Sequence, residues 1–152
     1  MSRKTLLHLD DNPDDLFLFK KACSEAGASF NLTSFDSSQQ ALNYLEGLRE
    51  YSDRTTFPLP HLVLLDLKMP LPDGFAVLHS IRNQPRFSQI NICLLTSSFQ
   101  YEDIQKAYAE GANWFLTKPA TLDRLIAIAA ALDHCLVTSD YGPLKKLVEF
   151  RN

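Results

Sequence analysis

The chain has 152 residues, 45% hydrophobic and 22% charged, with a formal net charge of -3. That composition suits one folded domain with a full core, within the usual size of about 100–200 residues, and the lack of a dense Lys/Arg cluster argues against nucleic acid as a direct partner. No apolar stretch approaches the roughly 20 residues of a membrane helix, Met1 to Thr5 is unlike the start of a signal peptide, and Cys23, Cys93 and Cys135 are odd in number without a C-x-x-C spacing; the expectation is a cytoplasmic chain with free thiols and no membrane contact.

Lys4 to Leu9 is a short apolar run closing on Asp10-Asp11, and it predicts a first strand. Asn12-Pro13-Asp14-Asp15 supplies an N-cap, a first-turn proline and acids suited to the positive end of a helix dipole. A helix therefore starts near Pro13. Leu16, Phe19, Cys23 and Ala26 keep helical spacing as far as Gly27, a natural C-cap. Taken alone, Asp14 and Asp15 are cap residues, and His8, within an apolar strand, is an interior histidine. Phe30 to Phe35 predicts a second strand, Asp36-Ser37-Ser38 a second cap, and Ala41, Leu42, Leu45 and Leu48 a second helical stripe. Glu50 to Pro60 is a polar loop with two prolines, longer than the common connections of about 4–6 residues, and is either a mobile surface or an insertion.

Leu62 to Asp66 begins with an unbroken apolar run, the pattern of a strand buried on both faces. It ends in a carboxylate followed by the Pro/Gly-rich loop Met69-Pro70-Leu71-Pro72-Asp73-Gly74. Asp73-Gly74 serves a turn and the start of a third helix, with Phe75, Leu78 and Ile81 inward. Ile90 to Thr96 predicts a fourth strand, and Ile104, Ala107 and Tyr108 a fourth helix ended by Gly111. Asn113 to Thr117 predicts a fifth strand closing on Lys118-Pro119, after which Thr121 caps a helix carrying Leu122, Leu125, Ile126, Ala129, Leu132 and Leu136. Five such β-α units imply an all-parallel sheet with helices on both faces.

In an open doubly wound sheet, ligands sit outside the carboxyl ends of the strands. Those ends here carry Asp10-Asp11, Asp36, Asp66, Thr96 and Lys118. Carboxylates brought together raise one another's pKa unless a cation or a lysine offsets them. An oxygen-only set without His or Cys favours magnesium or manganese.

Asp10-Asp11 after strand one, Asp66 within D-L-K-M-P-x-x-D-G, Thr96-Ser97 after strand four and Lys118-Pro119 after strand five together resemble the receiver domain of two-component response regulators, over Lys4 to Val137. The resemblance implies a flavodoxin-like (βα)5 fold with a five-stranded parallel sheet of order 2-1-3-4-5. It implies that Asp66 accepts a phosphoryl group from a sensor histidine kinase or phosphotransfer protein. Asp11 and Asp66 would hold Mg2+, with Mn2+ as a substitute, Asp10 would join them through water or as support, and the Lys68 backbone carbonyl would complete the set. Lys118 would hold a phosphoryl oxygen, with its bond to Pro119 cis. Thr96 would donate to the phosphoryl group and act with Phe115 as the switch. Output would appear on the face of the fourth helix, fifth strand and fifth helix, around Ala107-Tyr108, Trp114-Phe115 and the helix from Leu122, toward a downstream effector or a second copy. The role is signalling, not enzymatic turnover.

Some positions leave questions open. The Lys68 side chain would either shield the phosphoryl group or pair with an acid. Ser98 offers no carboxylate or amide to orient an attacking water, so slow self-dephosphorylation is expected. Residues 1–137 form the receiver and 138–152 a tail too short for an output domain, where Leu144, Leu147, Val148 and Phe150 suggest a short one-sided helix that packs on its own domain or adds to a dimer face. The long 50–60 loop and the tail resemble single-domain regulators of phytochrome-type or hybrid kinases. Two other readings stand beside this one. An aspartate-nucleophile phosphatase or hydrolase wants a second acid two residues after its nucleophile, where Lys68 stands; a receiver-like scaffold would not be phosphorylated.

Overall fold

The computed structural model describes residues 3–98 and 100–148. Strands β1 (Thr5–Leu9), β2 (Asn31–Phe35), β3 (Leu62–Leu65), β4 (Asn91–Thr96) and β5 (Trp114–Thr117) form one parallel sheet in the order β2-β1-β3-β4-β5. This is the order expected from the resemblance. Every residue of β1 and β3 is buried, as central strands covered on both faces require, whereas β2 at the edge mixes exposed and half-buried positions. The register sets Leu9 beside both Phe35 and Leu65, Leu65 beside Leu94, and Thr96 beside Thr117. The carboxyl ends of all five strands therefore finish near one level.

Helices α1 (Pro13–Ala26), α2 (Ser38–Glu46), α3 (Gly74–Arg82), α4 (Tyr101–Ala109), α5 (Leu122–Thr138) and the single turn α6 (Gly142–Lys145) connect and cover the sheet. Asn12, Ser37, Asp73 and Thr121 cap α1, α2, α3 and α5 by accepting from backbone N–H groups of the first turn, each satisfying an orphan donor. Helix α4 differs, because Gln100 gives it no side-chain cap. Alternation along the strands feeds two cores. Leu6, Leu64, Cys93 and Leu116 pack with Phe19 of α1 and Ile128 and Leu132 of α5, while Leu7, Leu9, Val63, Leu65 and Phe115 pack with Tyr44, Leu78 and Ile104 on the other face.

One local expectation changes and two open ones are narrowed. The 50–60 loop is packed, not a loose surface: Tyr51 lies 5.3 Å from both the Tyr44 and Phe57 rings. Arg54 donates to the carbonyls of Tyr44 at 2.8 Å and Leu45 at 2.6 Å, closing groups that the end of α2 leaves open. The cis bond among the described residues is Leu71–Pro72, and Lys118–Pro119 is trans; X–Pro amides favour trans by only about 0.5–1 kcal/mol, so the dipeptide alone does not set the isomer. The tail makes one helical turn and lies on its own domain, with Tyr141 stacked on Trp114 at 5.6 Å and Leu144 fully buried. Phe150 lies outside the described residues. No helix among them is long and apolar enough to cross a membrane.

Candidate functional site

The sheet's hydrogen-bond ladder sets the first two carboxylates. Asp10 N–H donates to the Phe35 carbonyl and Asp66 N–H to the Leu9 carbonyl, both at 3.1 Å, so the two acids stand side by side where β1 and β3 end. Asp10 Oδ1 accepts from the Asn12 N–H at 2.9 Å, which turns the chain into α1 and leaves Oδ2 facing the site. Asp66 is 4% exposed, and its Oδ1 accepts from the Lys68 N–H at 3.2 Å. Gly74, the first residue of α3, sits directly beneath this loop: a Cβ there would lie 2.2 Å from the Asp66 carbonyl oxygen. No side chain fits in that space.

Lys118 closes the cluster from β5. Its N–H donates to the Thr96 carbonyl at 2.8 Å, and its Nζ lies 2.8 Å from Asp10 Oδ2, 2.7 Å from Asp15 Oδ2 and 3.0 Å from Asp66 Oδ2. An ammonium has three donors, and three carboxylates face it here. Burial alone would lower the lysine's pKa, but the hydrogen bonds to Asp10, Asp15 and Asp66 outweigh it and hold the group above the ordinary lysine range. Asp10 is completely buried, and its burial pushes its carboxyl upward despite Lys118. Its fully buried Oδ2 has the Lys118 ammonium, 2.8 Å away, as its one ion-pair contact among the described residues.

Asp10, Asp11 and Asp66 each offer an oxygen within 4.8 Å of the others. With Asp15 added, the site gathers four carboxylates around one ammonium that contacts three of them, Asp10, Asp15 and Asp66. Hard oxygen donors with uncompensated negative charge suit a divalent cation of the magnesium or manganese kind, and the carboxylates of Asp10, Asp11 and Asp66 outnumber the one ammonium beside them.

The remaining expected residues are divided. Thr96 is fully buried at the end of β4, and its Oγ1 accepts from the Ser98 N–H at 3.4 Å. Lys68 begins the loop after Asp66, but its ammonium turns aside to Asp103 at 3.2 Å. Phe115 points into the core, not toward the site; its N–H donates to the Tyr108 hydroxyl at 3.0 Å. Trp114 and Ala107 are also buried, so little of the anticipated output face is made by those residues themselves. Asp36 stands apart from the carboxylate cluster, lining with Asp11 and Met69–Pro72 a groove of about 280 Å³.

Two acids were not foreseen. Asp15 suits a helix N-terminus, and nothing local to it points to a lysine 103 positions away. Asp103 also sits in a first helical turn, and its carboxylate accepts from the Ser98 hydroxyl at 2.5 Å as well as meeting Lys68. The one sequence signal for Asp103 was the weak cap residue before it, Gln100.

Residues 6–130 match the response regulator receiver domain, and the chain belongs to that family. It is 32% identical over 120 residues to a probable methanogenesis regulatory protein of Methanothrix harundinacea, covering 79% of this chain and 75% of that one. It is 28% identical over 130 residues to the response regulator Rcp1 of Synechocystis, covering 86% of each. The crystal structure of the phosphorylated cyanobacterial phytochrome response regulator RcpA superposes with a TM-score of 0.81 at 27% identity, over 91% of this chain and 97% of that one. The Mn(2+)-bound form of Rcp1 gives 0.77 at 28% identity, over 89% and 96%.

Proposed function

We propose that Asp66 accepts a phosphoryl group from a histidine kinase or phosphotransfer protein, and that the resulting change in the surrounding loops is the signal. The observation that carries this reading is the Lys118 ammonium, held 3.0 Å from Asp66 and shared with Asp10 and Asp15. A cation so placed adjoins the nucleophile and any group transferred to it.

In the transfer, a carboxylate oxygen of Asp66 forms a bond to phosphorus as the bond from phosphorus to the donor imidazole nitrogen breaks. The transition state is loose, so positioning and charge neutralisation supply most of the catalysis. Asp10, Asp11, Asp66 and the Lys68 carbonyl would hold Mg2+, which when bound offsets the negative charge of the transferred group. Lys118 exchanges carboxylate partners for a phosphoryl oxygen. The Thr96 hydroxyl, which accepts from Ser98, keeps its own hydrogen for donation to that group. The phosphoryl oxygens reward one arrangement of these loops, and shifting a population from about 1:99 to 99:1 takes roughly 5.5 kcal/mol of preference.

The relatives support a phytochrome-type setting, since the chain spans nearly the whole length of RcpA and Rcp1. The test is incubation with acetyl phosphate and Mg2+ followed by intact mass measurement. A gain of one phosphoryl group that is lost with chelator and in Asp66→Asn supports the assignment; no gain, or an equal gain in Asp66→Asn, contradicts it.

A further inference from the structure

A single carboxylate joins the loops that carry Asp66 and Thr96. Asp103 accepts from the Ser98 hydroxyl at 2.5 Å and meets the Lys68 ammonium at 3.2 Å through the same oxygen. Ser98 follows Thr96 by two residues, and Lys68 follows Asp66 by two. Both ties end on the first turn of α4, whose N-cap residue contributes no side-chain bond. Asp103 thus anchors a helix start that its own cap leaves open.

The two ties differ in kind. Ser98 is buried, so its bond to Asp103 is sheltered from water. The Lys68 side chain is 57% exposed and that of Asp103 17%, so the ammonium can swing on its flexible stem without disturbing any packing. Two residues before Lys68 stands Asp66. A phosphoryl group there carries about -1.5 to -2 charges and three acceptor oxygens, against the single charge of Asp103. The stronger anion competes for the same ammonium, and the ion pair exposed to solvent is the tie that yields.

We propose, on the reading that Asp66 is the acceptor, that Asp103 is a positioning residue of the switch. In the unmodified protein it holds the Lys68 ammonium, and a phosphoryl group on Asp66 draws that ammonium away. The first turn of α4 then keeps only its Ser98 tie. The state of Asp66 reaches α4 by this route in addition to any movement of Thr96, and the coupling runs through a charge that this chain carries at position 68.

Amide hydrogen exchange at Ile104, whose N–H makes the first bond of α4 to the Gln100 carbonyl at 3.1 Å, reads the tie directly. Asp103→Asn keeps an acceptor for Ser98 and removes the charge; Lys68→Ala removes the ammonium; Lys68→Arg restores a cation. In unmodified protein, Asp103→Asn and Lys68→Ala each speed exchange at Ile104 by about tenfold, and Lys68→Arg returns it to the wild-type rate. Phosphorylating wild type with acetyl phosphate and Mg2+, verified by mass, produces a similar increase, while phosphorylated Lys68→Ala gains less than about twofold. Wild-type protection in unmodified Lys68→Ala, or unchanged protection in phosphorylated wild type, overturns the proposal. A chain that gains no phosphoryl mass at all overturns the acceptor reading first and the switch with it, and the mass measurement distinguishes that case.

Discussion

Lys118 lies closer to Asp15, at 2.7 Å, than to the expected acceptor Asp66, at 3.0 Å. Asp15 comes from the first turn of α1, and its side chain is 31% exposed where that of Asp66 is 4%. In the unmodified protein it therefore competes with an incoming phosphoryl group for the lysine. Asp15→Asn removes the competing charge and keeps a polar partner. The variant is expected to take phosphoryl from acetyl phosphate faster by roughly two- to tenfold, up to about 1.4 kcal/mol in the barrier; quenched time courses read by intact mass check this, and a slower variant would show that Asp15 instead helps to place Lys118.

His8 is 1% exposed, meets the Phe19 ring edge-on at 4.8 Å and leaves Nδ1 without a partner. Burial, reinforced by the Lys118 charge, holds its pKa down to about 3. Between the unfolded value of about 6.5 and that depressed value the unfolded chain binds a proton that the native state refuses, so stability falls as pH falls. Between about pH 6.5 and pH 5 this amounts to ~2 kcal/mol. Urea unfolding in chelator at about pH 7 and about pH 5 should show His8→Leu losing ~2 kcal/mol less than wild type. Equal losses would mean that the imidazole is protonated in the fold.

Gly74 lets α3 press against the backbone of the acceptor loop, where an added Cβ would meet the Asp66 carbonyl oxygen at 2.2 Å and the Leu67 Cα at 2.5 Å. Both obstacles are backbone, so the loop itself must shift. Gly74→Ala is expected to cost ~1–3 kcal/mol in thermal or urea unfolding and to slow phosphoryl uptake. Wild-type uptake in a destabilised variant would separate the loop's geometry from the acceptor's reactivity.

The aspartyl phosphate should decay slowly, with a half-life of minutes or longer in Mg2+. Ser98 carries no carboxylate or amide to orient an attacking water, and its hydroxyl already donates to the nearby carboxylate of Asp103. Following the loss of phosphoryl mass after removal of the donor measures this; decay within seconds would contradict it.

Much of the fold was legible because its signals are local. The apolar runs predicted each strand to within about a residue: Leu62 to Asp66 became Leu62–Leu65, and Ile90 to Thr96 became Asn91–Thr96. Asn12, Asp73 and Thr121 cap helices where their chemistry placed them. In the site, Asp10, Asp11, Asp66 and Lys118 could be named because each ends a strand, and parallel strands bring their ends together. Asp15 and Asp103 stayed hidden because a first-turn acid has a sufficient local use at the helix dipole, while their partners arrive from distant segments. The packing of the 50–60 loop is not legible for a related reason: its polar residues are visible in sequence, but the Tyr44, Tyr51 and Phe57 cluster that packs it is a tertiary fact.

One carboxylate, Asp66, is expected to carry the phosphoryl group. Peptide mapping by mass spectrometry, after phosphorylation with acetyl phosphate and Mg2+ and an acid quench, locates it. The added group is expected on Asp66 alone. A phosphoryl group on Asp10, Asp11 or His8, with Asp66 unmodified, would contradict it.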